Sequence, residues 1–152
     1  MGKTVTKNRK AFHNYHFEEF YEAGLVLEGT EVKALREGKA HLKDAYAVVS
    51  GDQLELLGAY IGYYGNAPAK QQHDPERTRK LLLKKREMKE LIGKLSRQGY
   101  TLIPTQIYFN DRGWAKVQLG LGKGLKKYDK REKTKKRDQE RRLRQKYKTQ
   151  IR

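Results

Sequence analysis

The sequence predicts a mainly β domain with flanking helices, followed by a separate basic tail. Three observations carry this. Short β-prone segments end at turn residues, two of them in hairpin spacing. Two stretches have the cap and apolar spacing of helices. The charge is also unevenly placed. Of a formal +17, residues 123–152 hold 15 Lys/Arg against 4 Asp/Glu, and residues 1–122 hold 20 against 14. Many short strands and two helices in about 110 residues suggest a small closed or half-closed barrel. Periodicity alone does not choose between a barrel and an open α+β sheet.

Residues 1–8 read as a flexible N-terminal arm, and the folded domain spans 9–122. Residues 13–27 are rich in aromatic side chains interspersed with polar ones and read as a strand, with Gly24 the candidate for a bulge or bend. A short helix follows over 31–38, with Thr30 as N-cap and Gly38 as stop. Residues 45–50 and 53–61 form a hairpin around Gly51-Asp52. Residues 62–73 are a polar loop. Asp74-Pro75-Glu76 reads as the start of a longer helix, with a stripe of Leu81, Met88, Leu91, Ile92 and Leu95, ended by Gly99. Residues 100–109 and 114–121 are strands about the turn Asn110–Gly113, and Pro104 marks an edge or bulge. The glycines of 120–124 read as a flexible joint to the tail.

The tail, 123–152, has Leu125, Tyr128, Leu143, Tyr147 and Ile151 as its large apolar residues. That is too little area to offset an ordering cost of roughly 1–2 kcal/mol per residue. The tail is therefore expected to be disordered when free. Asp129/Lys133, Glu132/Lys136, Asp138/Arg142 and Glu140/Arg144 nevertheless place the acid first at helical i,i+4 spacing. A polyanion that neutralises the excess charge would make the tail helical.

Several functions are disfavoured by the residues. No apolar run spans a membrane, and no apolar stretch follows the first charges as in a secretory signal. There is no cysteine, hence no thiolate chemistry or disulfide. His13 and His16 have no third metal ligand nearby, and His41 and His73 stand apart. Gly120–Gly124 lacks the spacing of a phosphate-binding loop. Glu18, Glu19, Glu22, Glu28 and Glu31 form no acid/base constellation. No enzyme activity, cofactor or metal is expected. What the sequence does offer is ten tyrosines interleaved with Lys and Arg, a pattern suited to stacking on bases and binding phosphates.

Several motifs carry a family resemblance. Asn8–Tyr15, Tyr21–Leu25, Gly29–Lys39, Asp74–Leu83, Gly120–Gly124 and Tyr128–Arg131 stand in the order found in the SmpB (SsrA- or tmRNA-binding) protein family, over about residues 8–137. The resemblance implies an oligonucleotide-binding-type antiparallel β-barrel flanked by two or three helices. It implies a cytoplasmic bacterial protein that binds the tRNA-like domain of transfer-messenger RNA and delivers it to stalled ribosomes, its tail entering the decoding centre and empty mRNA channel. Elongation factor Tu and alanyl-tRNA synthetase would be met through that RNA. A general ribosome-associated RNA-binding protein or RNA chaperone is the alternative.

By position, Glu22 and Leu82 match family residues tied to RNA binding, and Lys84 replaces a usual Asn or His. His13, Lys33, Arg36, Lys39, Arg79 and Lys80 are expected to join them on the RNA. Lys123, Gly124, Tyr128, Asp129, Lys130 and Arg131 match the tail motif of the decoding centre, where Leu125 replaces a usual lysine. Gln72 stands where the family often has Asn.

Overall fold

The computed structural model describes residues 3–125, residue 131 and residues 135–143. In chain order, the strands are β1 (Thr4–Lys7), β2 (Tyr15–Leu25), β3 (Ala40–His41), β4 (Tyr46–Ser50), β5 (Gln53–Leu57), β6 (Tyr60–Ile61), β7 (Arg79–Leu82), β8 (Tyr100–Phe109) and β9 (Ala115–Gly124). The α-helices within the barrel domain are α1 (Arg9–Asn14), α2 (Gly29–Arg36) and α3 (Lys85–Leu95), and a single 3-10 turn spans Ala69–Gln71.

All pairings are antiparallel, and the large sheet closes on itself. β4 pairs with β5, β5 with β7, β7 with β2, β2 with β9, and β9 with β8. Ala47 opposite Leu102 returns β8 to β4 and completes the barrel. Closure removes the free edges of the strands in the ring, while β1 is added on β8 as an edge. Alternation then sorts the side chains: Tyr21, Ala23, Leu25, Leu54, Leu56, Leu81, Leu102, Val117, Leu119 and Leu121 are buried in the core. Leu91 of α3 and Ala34 and Leu35 of α2 are buried in the same core.

Both predicted hairpins form, with Ser50 opposite Gln53 and Phe109 opposite Ala115. The register slips between Pro104 and Gln106, so the proline sits at a bulge. In β2 the slip falls between Phe17 and Glu19 rather than at Gly24.

Other expectations need correction. Residues 4–7 are not a free arm: Thr4 and Lys7 pair with Tyr108 and Gln106, and Val5 packs on the core. The β-branched run Thr4-Val5-Thr6 suits that edge. His13 lies in the last turn of α1, outside the strand.

The cap of α2 is Glu28, whose N–H donates to Glu31 Oε1 at 2.8 Å, while the Thr30 hydroxyl is engaged by His73. Gly38, at φ 75°, closes that helix as expected.

The largest error is Asp74-Pro75. These residues form a turn, with the Glu76 N–H on Asp74 Oδ1 at 3.0 Å, because the same residue types favour turns as well as helix starts. Strand β7 follows, buried at Arg79 and Leu81 and exposed at Lys80 and Leu82. The helix begins only at Lys85, beyond an N-cap (Lys84) with no capping side chain. Its Met88, Leu91 and Leu95 face the core, and Ile92 is exposed.

Gly120–Gly124 is no joint either. These residues are the end of β9, paired with Tyr15–Phe20. A side-chain carbon on Gly122 would overlap the His16 carbonyl, and one on Gly120 would overlap the Phe17 ring. Beyond the barrel, residues 135–143 are helical with every side chain exposed. Of the acid-first pairs, only Asp138/Arg142 lies wholly within the described residues.

Candidate nucleic-acid interface

Two outward rows cross the wall of the barrel. The first runs Leu82, Gly24, Lys116, Tyr108 and the second Glu22, Gln118, Gln106, Lys7, each residue opposite the next on the neighbouring strand. Glu22 and Gly24 are two apart on β2, so the rows are adjacent. Gly24 leaves bare backbone at the centre. A side-chain carbon there would stand 3.6 Å from Leu82 Cβ and 3.7 Å from Lys116 Nζ, so these two side chains flank the opening.

The rows continue into a groove between α2 and the β8–β9 turn. Val26, Leu82 and Trp114 supply its apolar surface, and Arg36, Arg112 and Lys116 its cations. Leu82 is 53% exposed and Trp114 66% exposed, the largest exposure among the apolar side chains of the barrel. Large exposed apolar groups among cations fit a ligand with flat apolar faces and anionic links, which describes RNA.

Glu22 is the acid in this surface. The Tyr108 hydroxyl donates to Glu22 Oε2. Burial pushes the Tyr108 phenol up, and the hydrogen bond to Glu22 and its charge push it further, well above the usual tyrosine range. The Tyr108 hydroxyl thus holds the carboxylate in place as a donor. A carboxylate so held can accept from a base amino or imino group or a ribose 2′-OH, while Arg36, Arg112 and Lys116 can meet phosphates.

The other predicted residues divide. Arg36 lines the groove. Lys33 lies beside it on α2, its Nζ 5.4 Å from the Tyr64 ring centroid. Lys39 is exposed and pairs with Glu37 at 2.9 Å. Lys80 is exposed opposite Glu55. Lys84 is exposed at the start of α3, and His13 is exposed on α1.

Arg79 is a correction: it has no exposed surface and cannot meet RNA from its place in the core. Its Nε donates to Glu31 Oε2 at 2.5 Å and its Nη1 to the Ala59 carbonyl at 2.7 Å. Arg77 Nη2 reaches the other Glu31 oxygen at 2.5 Å. Burial pushes the Glu31 carboxyl up, but the Arg77, Glu28 and Arg79 hydrogen bonds outweigh it and hold it below the usual range. Basic type alone, without the strand alternation, gave no sign that Arg79 points inward.

Lys123 and Gly124 belong to β9 rather than to the tail, and Lys123 Nζ stands 4.8 Å from the Tyr100 ring centroid. Arg131 is exposed, and Tyr128, Asp129 and Lys130 lie outside the described residues. Sequence reasoning missed Arg112, Trp114 and Lys116. The available signal was the sole Trp of the chain, set at a hairpin turn between Arg112 and Lys116.

The family model described as SmpB protein matches residues 5–149. An SsrA-binding protein of Geobacillus sp. (strain WCH70) is 51% identical over 144 residues, covering 93% of this chain and 90% of that protein. An SsrA-binding protein of Geobacter metallireducens is 51% identical over 148 residues, covering 95% and 94%. A chain of the solved structure "tmRNA-SmpB: a journey to the center of the bacterial ribosome" aligns with a TM-score of 0.67 and 45% identity, over 83% of this chain and 91% of that one.

Proposed function

The chain belongs to the SmpB family, and from that premise we propose that it binds transfer-messenger RNA and works with it on stalled bacterial ribosomes in trans-translation. The observation that carries this reading is that Glu22 and Leu82 stand in adjacent outward rows of a closed barrel, with Leu82 lining the basic groove into which those rows run. Their counterparts in the family motifs are tied to that RNA, and the solved relative is described with tmRNA at the bacterial ribosome.

The groove holds the tRNA-like domain. A-form helices hide their major-groove edges, so recognition falls on backbone, 2′-OH groups and unstacked bases. Cations for phosphates, apolar faces for bases and one oriented acceptor suit that task. The tail reaches the decoding centre and mRNA channel, where ribosomal RNA offsets its +11 charge. Elongation factor Tu and alanyl-tRNA synthetase are met through the RNA. The protein's contribution is binding and placement, and no bond is made or broken by its side chains.

Sequencing the RNA that co-purifies with the full chain tests the reading. Enrichment of transfer-messenger RNA over ribosomal and transfer RNA is the expected result. A flat profile over many RNAs would favour a general RNA chaperone instead.

A further inference from the structure

The loop between β6 and β7 presents a second aromatic surface that the groove does not include. Tyr63 is 57% exposed, yet the backbone on either side of it is pinned. The Gly62 N–H donates to the Lys39 carbonyl at 2.8 Å and the Tyr64 N–H to Gln72 Oε1 at 3.1 Å. Gln72 Nε2 donates in turn to the carbonyls of Tyr64 and Ala67. Next in the chain is His73, buried, with its ring nitrogens 2.8 Å from the Thr30 hydroxyl and 2.9 Å from the Ile61 carbonyl. The carbonyl can only accept, which puts the proton of a neutral ring on Nε2 and leaves Nδ1 to accept from Thr30. The Tyr63 ring leans on this fixed imidazole, with centroids 6.3 Å apart.

A ring held this way loses little freedom when something stacks on it. Its surroundings favour an anionic partner. Lys33 Nζ lies over the neighbouring Tyr64 ring, Lys39 is exposed where its backbone meets Gly62, and Lys70 is exposed in the same loop. The surface is also continuous with the groove: Lys33 stands three residues before Arg36 on α2, a spacing of about 5–6 Å between Cβ atoms.

We infer that Tyr63 is a stacking platform for one unpaired nucleobase of the same tRNA-like RNA that fills the groove, with Lys33 on the adjoining phosphate and Gln72 as the positioning residue. The inference rests on the RNA reading given above and adds a contact beyond the groove. It also gives Gln72 a role: its side chain spans the loop and bonds at both ends.

The test measures the affinity of the full chain and its variants for the isolated tRNA-like domain across a salt series. Tyr63→Ala is expected to weaken binding by roughly 5- to 100-fold, the worth of one stacked base, with an unchanged salt slope. Tyr63→Phe keeps the ring and is expected to bind as the parent does. Tyr63→Leu keeps apolar bulk without a ring face and is expected to fall with the alanine variant. Lys33→Ala is expected to lower the salt slope by about one. Gln72→Ala is expected to lose part of the affinity and to speed hydrogen exchange at the Tyr64 amide. If Tyr63→Ala binds as the parent does while Leu82→Ala is weakened, the platform is overturned and the groove stands. A parent chain with no preference for the tRNA-like RNA overturns both.

Discussion

Glu31 has no exposed surface and sits between Arg77 and Arg79 at 2.5 Å from each. Its carboxylate also accepts from the backbone that starts α2, so one side chain ties α2, the Asp74 turn and β7 together. Arg79→Met leaves Glu31 with Arg77 as its only guanidinium and takes the buried donor from the Ala59 carbonyl, so it is expected to cost about 1–3 kcal/mol in denaturant unfolding. The lowered Glu31 carboxyl makes the network sensitive to acid. A carboxyl whose folded value is depressed contributes stability above its unfolded value near ~4 and loses it as pH falls through the folded value. Stability measured from pH 6 down to pH 2.5 should therefore drop more steeply in the parent than in Glu31→Gln, which has less to lose. At the interface, Tyr108→Phe removes the donor that orients Glu22. The expected outcome is weaker and less selective RNA binding with the melting temperature nearly kept, read by competition between the tRNA-like domain and unrelated RNA. Glu22 and Leu82 were placed by their positions in family motifs, whereas Trp114 carried its own signal and went unread. Arg79 was misread because a helix expected from Asp74 onward hides the strand alternation that buries it.

At the scale of elements, hairpins were recoverable because their turn chemistry is local. Gly51-Asp52 and Asn110–Gly113 each specify a reversal by backbone preference alone. Asp74-Pro75 was not, since a helix cap and a turn use the same residues. The true start of α3 at Lys84 lacks a capping side chain and so leaves no mark. The glycines of β9 were read as flexible because the strand they press against, β2, lies about 100 positions away in the chain and is joined only by folding. Their role gives a sharp expectation. Gly122→Ala must push apart β2 and β9 where His16 and Phe17 approach, at about 1–3 kcal/mol. Hydrogen exchange should then rise along Tyr15–Phe20. An exchange pattern equal to the parent's would show that the strands do not touch there.

For the molecule as a whole, closure through Ala47 and Leu102 was beyond periodicity, which fits an open sheet equally well. The division of charge, by contrast, was readable from composition, and it makes affinity depend on salt. With about 6–10 phosphate contacts, binding to the tRNA-like domain should fall by roughly 10³–10⁵ between 50 and 200 mM salt. The barrel ends with β9 at Gly124, so the tail can be removed after Leu125 without cutting a strand. That truncated chain separates gripping the RNA from acting on the ribosome, and the decisive measurement is its behaviour in both. Affinity for the tRNA-like domain should be essentially that of the full chain, while tagging of peptides on stalled ribosomes is abolished. Loss of RNA affinity on truncation, or tagging that survives it, would contradict the assignment of the two tasks to barrel and tail.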